Sequence, residues 1–275
     1  MEGLALTNLN EVGALPGLSM QFVVQTLATV FLASLRIGAF LIASPFFGGS
    51  SVPLQVRIIM AVLLGVFVAS NVSAPTWQSF DAMTGVQVVL TELMIGIGSG
   101  LILTIWFSAA LLAGEKIAAS AGLGFAAQMD PDSGGQTPVV SKIFSLFLTV
   151  LFLSWDGHIV VLHAILDTYQ FLPVGNVPNL KVLITGGLST AGSMFAAATV
   201  IMLPVTGFLV AINLAIGVIS RSSPQMNLFA VGFPISMIVV FVLLYMWVDV
   251  LGYSLTDLSR SGVDSVRSVL GKMIN

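Results

Sequence analysis

The segment VQVVLTELMIGIGSGLILTIWFSAALLA, residues 86–113, decides the class of fold. An α-helix rises about 1.5 Å per residue and the hydrocarbon core of a bilayer is about 30 Å thick, so this segment can cross a membrane with tilt. Only Glu92 is charged within it. The whole 275-residue chain is 57% hydrophobic and 8% charged, whereas soluble globular proteins are about 25% charged. The composition therefore excludes a soluble or disordered chain and predicts an all-α, membrane-associated fold.

The apolar runs differ widely in length. Residues 22–42 and 228–248 are long enough to cross a bilayer, residues 58–70 are too short, and residues 188–219, with Pro204 near the middle, are longer than needed. Residues 143–155 and 159–166 flank Asp156 and Gly157, which predicts a helical hairpin or a broken helix. We therefore predict six to seven apolar helices, several of them kinked or hairpin-like. Short helices that carry charge are tolerated where protein surrounds them, so we expect this chain to be a subunit embedded in an assembly.

Three regions follow from composition. Residues 1–19 contain no Lys or Arg, which argues against a cleavable secretion signal. Residues 20–250 are predicted to form a single integral domain. In residues 251–275, apolar side chains recur at helical spacing with charged residues between them, which predicts an amphipathic C-terminal helix.

Several kinds of site have no support in the sequence. The chain has no Cys, and His158 and His163 are five positions apart rather than four, so no metal site is predicted. Residues 122–127 match the GxGxxA pattern but lack the strand and acidic residue of a dinucleotide site. No hydrolase, Walker or zinc-protease motif is present, and a net charge of -3 without a basic run argues against nucleic acid. We therefore expect neither enzymatic activity, catalytic residues, cofactor, metal nor nucleic-acid partner.

Ionisable residues within or at the ends of the apolar runs are candidates for function, because charge is costly in lipid. They are Arg36, Glu92, Asp156 and Asp249. They could form an ion pathway, or they could form interhelical salt bridges or subunit contacts. Gly96 and Gly100 form a GxxxG step that predicts close packing of two helices.

Residues 114–138 have the most unusual composition. The first half, residues 114–127, is small and apolar yet too Gly-rich for a firm helix. The second half, residues 128–138, is dense in turn-forming residues. The segment is predicted to be either a movable closure or a simple long connecting loop.

Two groups of motif residues are recognisable over roughly residues 20–250. The first group is Asp130, Pro131, Gly134, Gln136 and Pro138. The second group is Arg221, Pro224, Gln225, Asn227, Gly232 and Pro234. Together they resemble the FliR family, the R subunit of the flagellar export gate, which is related to the T subunit of virulence type III secretion systems. The sequences of both groups favour the flagellar branch of the family.

The resemblance implies a bacterial inner-membrane subunit of the flagellar basal body. Such a subunit forms, with P and Q subunits, a helical pore for unfolded rod, hook and filament proteins, and works with the A and B membrane subunits. It implies a P-like part to about residue 180, a Q-like part at about 185–250, and a pore-plugging loop at 114–138. The apolar core of that loop would be Gly122, Leu123, Gly124, Phe125, Ala126, Ala127, Gln128 and Met129.

Two alternatives remain open at this point. One is a virulence secretion T subunit. The other is a proton-coupled transporter of small solutes, in which Glu92, Asp156 and Asp249 would form the relay. The chain shows no internal repeat of comparable helices, and many secondary transporters have one.

Overall fold

The structure is a computed structural model that describes residues 20–49, 52–71, 82–123, 139–176, 178–222 and 228–273. Within these ranges the chain is helical and contains no strand. The helices of the described residues are α1 (Met20–Ala43), α2 (Leu54–Asn71), α3 (Ala82–Ser120), α4 (Val139–Ser154), α5 (Gly157–Phe171), α6 (Leu180–Ser222), α7 (Leu228–Met246) and α8 (Val248–Lys272). The prediction of an all-α membrane subunit is confirmed.

Helix length and composition identify the segments that can cross a membrane. Among the described residues, α1, α2, α3 and α6 are each long and apolar enough to cross by themselves. Helices α4 and α5 pass the test only together and are bent by 67°, and the pair α7 and α8 is bent by 69°. The described part of the chain therefore has four candidate spans, or up to six if each bent pair is one span. The prediction that the run at 58–70 is too short to cross is wrong, because the helix that contains it extends from Leu54 to Asn71. The break predicted at Asp156 and Gly157 is confirmed.

The described residues within Met1–Gly100, Leu162–Leu183 and Leu270–Asn275 form one compact unit. Its core includes fully buried side chains of α1, α3 and α5, among them Phe40, Ile95 and Ile165. Helix α1 packs on both α2 and α3. The backbone of α3 comes so close to α1 that a Cβ at Gly96 would collide with the Arg36 carbonyl oxygen. The close helix packing predicted from the GxxxG step is confirmed.

The residues within Leu101–Val161 and Ile184–Val269 form the second compact unit. Within this unit, two Trp side chains connect α8 to α3 and to the turn between α4 and α5. The Trp106 indole N–H donates to Ser265 Oγ at 2.9 Å, and the Trp155 indole N–H donates to Ser259 Oγ at 3.1 Å. These bonds satisfy the polar atoms of two large apolar side chains, which fixes the buried face of α8.

Helix α8 is strongly two-sided. Leu255, Leu258, Val266 and other apolar residues are buried, while Asp257, Arg260, Asp264, Arg267 and Lys272 are exposed. The helix begins at Val248, three residues before the predicted start at 251. Its apolar face packs within the chain, and its charged face remains available to solvent or to lipid head groups.

The turn between α4 and α5 depends on two consecutive residues. Asp156 has a φ of 60°, a left-handed conformation that Asp adopts more readily than most residues. Its backbone carbonyl accepts hydrogen bonds from Ile159 and Val160 and so begins α5. A Cβ at Gly157 would lie 2.6 Å from the ring of Phe152, which is buried.

Gly157→Ala is therefore expected to lower the free energy of unfolding by about 1–3 kcal/mol, the usual cost of overpacking a core. Gly192→Ala is the matched control, since a Cβ there has no described atom within 4 Å. Detergent-solubilised protein unfolded by a graded increase in SDS gives both values. Equal stabilities of the two variants would contradict the steric role of Gly157.

Candidate functional site

The described residues contain only part of the site that the sequence predicts. Residues 124–138 and 223–227 lie outside the described ranges. They hold most of the plug core, the whole first motif group and half of the second. Gly122, Leu123, Arg221, Gly232 and Pro234 lie inside them, as do all four ionisable candidates. Arg221 is exposed in the last turn of α6, while Gly232 is buried and Pro234 exposed in α7.

The start of the predicted loop is helical, which corrects the sequence-based expectation. Helix α3 continues through residues 114–120, although this segment was predicted to be too Gly-rich for a firm helix. The reason is packing: Ile117 and Ala118 are completely buried. Gly114 lies against Ser141 at the start of α4, where a Cβ would come within 2.5 Å of the Ser141 Cα. Burial and close backbone contact here outweigh the low helix propensity of Gly.

Helix α3 ends in a glycine C-cap. Gly122 has a φ of 78°, and its N–H donates to the Ala119 carbonyl at 3.0 Å. The Leu123 N–H donates to the Ala118 carbonyl at 2.9 Å. These two bonds define the Schellman motif, in which a left-handed Gly satisfies the last carbonyls of a helix. The predicted plug core therefore begins at a fixed point, the end of α3.

A side chain from α6 also contacts the end of α3. Asn213 Nδ2 donates to the Ser120 carbonyl at 3.0 Å, and Asn213 Oδ1 accepts from Ser236 Oγ of α7 at 2.9 Å. This group was not predicted from the sequence. The available signal was Asn213 itself, the only residue with a hydrogen-bonding side chain between Thr206 and Ser220.

Arg36 and Glu92 form an ion pair inside the first unit, and neither side chain is exposed. Arg36 Nε donates to Glu92 Oε2 at 2.6 Å, and Arg36 Nη2 donates to Oε1 at 3.0 Å. The same guanidinium donates to Thr168 Oγ1 at 2.8 Å and to the Leu172 carbonyl at 3.1 Å. It also lies 4.1 Å from the centre of the Tyr169 ring. This two-bond geometry is the strongest form of an Arg–carboxylate contact.

The ion pair joins α1, α3 and α5 in one polar cluster. The Tyr169 hydroxyl extends the cluster by donating to the Ala33 carbonyl of α1 at 2.7 Å. Each polar group of the cluster has a partner of fixed geometry, an arrangement suited to holding helices together.

The remaining two ionisable candidates occupy helix ends. Asp156 is exposed in the turn before α5, and Asp249 is exposed in the first turn of α8. A carboxylate in the first turn of a helix is favourable because it opposes the helix dipole. Both residues belong to the second unit, whereas Glu92 is paired in the first. Of these three carboxylates, which were put forward as buried, Glu92 is buried, whereas Asp156 and Asp249 are exposed.

Comparison with known protein families matches residues 27–261 to "Bacterial export proteins, family 1". The chain is 32% identical over 210 residues to the flagellar biosynthetic protein FliR of Escherichia coli strain K12, an overlap of 74% of this chain and 78% of that protein. The chain belongs to the FliR family. Most of each compact unit lies within the matched range.

Other FliR proteins extend the similarity. That of Pectobacterium carotovorum is 31% identical, again over 74% of this chain and 78% of its own length. That of Bacillus subtilis strain 168 is 26% identical over 91% of this chain and 98% of its own length. With its apolar helices, this FliR-family chain is a membrane-embedded component of the flagellar export apparatus in the inner membrane.

Proposed function

We propose that this chain forms, with the P and Q subunits of the export gate, the pore through which unfolded flagellar rod, hook and filament proteins leave the cytoplasm. The A and B membrane subunits of the apparatus would be further partners. At rest, the segment that follows α3 closes the pore. The family assignment supports a role in flagellar protein export. The observation that favours a multisubunit pore is the exposed apolar surface of helix α6.

Helix α6 exposes apolar side chains over a greater length than lipid can cover. Ile184 near its start is 69% exposed, and Val218 near its end is 68% exposed. These residues are about 50 Å apart along a straight helix, whereas the hydrocarbon core of a bilayer is about 30 Å thick. Apolar surface outside the lipid must be covered by protein. This favours an assembly in which helices of neighbouring subunits pack along α6.

The closure segment is attached to fixed stems. On one side α3 ends at the Gly122 cap, and on the other α4 begins with Val140 and Ser141 buried. The Gly114 contact with Ser141 holds the two helices together. Since α3 includes residues up to Ser120, the proposed movable part is shorter than the 114–138 segment predicted from the sequence. Apolar side chains in a narrow lumen exclude water and ions, and Gly residues let the backbone move aside for an exported chain.

Deletion of residues 122–128 is expected to make the assembled complex leak ions, because the apolar core of the plug is removed. The measurement is ion conductance in planar bilayers per complex, with assembly checked by native mass spectrometry of the chain co-purified with its P and Q partners. We expect intact assembly and a large rise in resting conductance.

Leu123→Met is the matched control, since it keeps an apolar side chain of similar volume at the same position. It should remain closed. Unchanged conductance in the deletion variant would refute the plug assignment. Purification of this chain as a stable homo-oligomer without P and Q subunits would refute the pore assembly.

A further inference from the structure

Asn213 is a polar side chain in an otherwise apolar part of α6. From Gly207 to Ile219 no other side chain can form a hydrogen bond, and the neighbouring Val210 and Leu214 are more than half exposed. An amide in such surroundings is unfavourable unless both its polar ends are paired. Here both ends are paired, with partners on two other helices, α3 and α7.

Asn213 completes the hydrogen bonding at the end of α3. The last carbonyls of a helix have no partner further along the same helix. At this end, the carbonyls of residues 117, 118 and 119 accept from the N–H groups of Ala121, Leu123 and Gly122. The Ser120 carbonyl accepts from Asn213 Nδ2 at 3.0 Å. The side chain of α6 therefore caps the helix end from which the closure segment departs.

The chemistry of the two partners fixes the orientation of the amide. A backbone carbonyl can only accept, so the NH₂ group of Asn213 must face Ser120. The Oδ1 atom then faces Ser236, a buried residue of α7, whose hydroxyl donates to it at 2.9 Å. Asn213 and Ser236 thus connect α7 and α6 to the last turn of α3 in one chain of hydrogen bonds.

We propose that Asn213 is a positioning residue that holds the stem of the closure segment against α6 and α7. A displacement of α6 or α7 would thereby move Ser120 and the Gly122 cap at the end of α3. The inference deepens the proposed function and rests on it for its link to pore closure. The contact of Asn213 with Ser120 can be tested independently of that function.

The first test measures exposure of the stem. The chain has no Cys, so Leu123→Cys introduces one reporter thiol, and its maleimide labelling rate is followed by intact mass of this chain in the assembled complex. Adding Asn213→Leu, which removes both hydrogen bonds at similar volume, should raise the rate about fivefold to tenfold, as expected for losing one or two interhelical bonds. Ser236→Ala, which leaves the bond to Ser120, should have a smaller effect.

Two controls separate positioning from general loosening of the fold. Thr206→Val removes a hydroxyl of the same helix that bonds only to α6 carbonyls, and it should leave the rate unchanged. A second reporter, Leu255→Cys, is buried in α8 and reports unfolding of the unit. Its labelling should not respond to Asn213→Leu. A rise at both reporters, or at neither, would overturn the positioning role.

The second test measures conductance in the same complexes without reporters. Asn213→Leu should leak, and should add nothing to the leak of the 122–128 deletion, because both act through the same segment. If the deletion leaks but Asn213→Leu alters neither labelling nor conductance, the inference fails and the proposed pore closure stands. If the deletion does not leak, the pore closure fails, while the labelling rates still test whether Asn213 holds the end of α3.

Discussion

Replacement of Arg36 by Leu is expected to lower the free energy of unfolding by about 3–5 kcal/mol, the usual cost of removing one partner of a buried ion pair. Arg36 and Glu92 are both fully buried, and the guanidinium also holds Thr168 and the Leu172 carbonyl. Without Arg36, the Glu92 carboxylate would remain buried without its main donor. SDS-driven unfolding in mixed micelles, followed by circular dichroism, measures the difference.

A double variant separates two contributions to the free energy of unfolding: the net stabilisation by the ion pair, and the cost of leaving one buried charge without a partner. Arg36→Leu with Glu92→Leu should be clearly more stable than Arg36→Leu alone, because no charge is left buried without a partner. Arg260→Leu makes the same chemical change at an exposed position of α8 and should alter stability by less than about 0.5 kcal/mol. A fully additive double variant would contradict the direct coupling of Arg36 with Glu92.

The helices could be predicted from the sequence because their signal is local. Segment length measured against bilayer thickness identified α1, α3 and α6 as candidate spans, and Asp156 with Gly157 identified the break between α4 and α5. The same test failed for α2, because the helix extends four residues before the apolar run at 58–70. The start of α6 was predicted eight residues late, at 188 instead of 180. Lys181, Thr185 and two Gly residues lower the hydropathy of the first two turns, although they continue the same helix.

The helical state of residues 114–120 could not be predicted, because it depends on contacts distant in sequence. From composition, Gly114 is a poor helix former. Composition does not show that Gly114 lies against Ser141, or that Ile117 is completely buried. Tertiary packing decided the conformation here.

Most residues of the candidate site could be predicted from the sequence, but the hydrogen bonds and ion pairs between them could not. Arg36 and Glu92 were each recognised as costly in an apolar helix, but 56 positions separate them and no periodicity relates them. Asn213 and Ser120 are 93 positions apart, and Asn213 received no weight because one amide forms no motif. Burial cost identifies which polar residues need partners, and only the fold shows which partners they have.

Gly96→Ala is the second variant with a large expected effect. A Cβ at this position would collide with the Arg36 carbonyl oxygen and lie 2.7 Å from Ala39 Cβ. The obstacle is mainly backbone, so it cannot be relieved by a change of rotamer, and α1 must move away from α3. Overpacking of this kind costs about 1–3 kcal/mol, and the displacement also stretches the bonds between Arg36 and Glu92.

Gly85→Ala is the matched control for this variant on the same helix. A Cβ at Gly85 has no described atom within 4 Å, and Ala is favoured over Gly within a helix by about 0.5–1 kcal/mol. The same chemical change should therefore destabilise the protein at position 96 and leave it unchanged or slightly stabilised at position 85. SDS unfolding of both variants measures the contrast. Equal effects at the two positions would mean that the substitution acts through the helix propensity of α3, and the close contact of α3 with α1 would then be refuted.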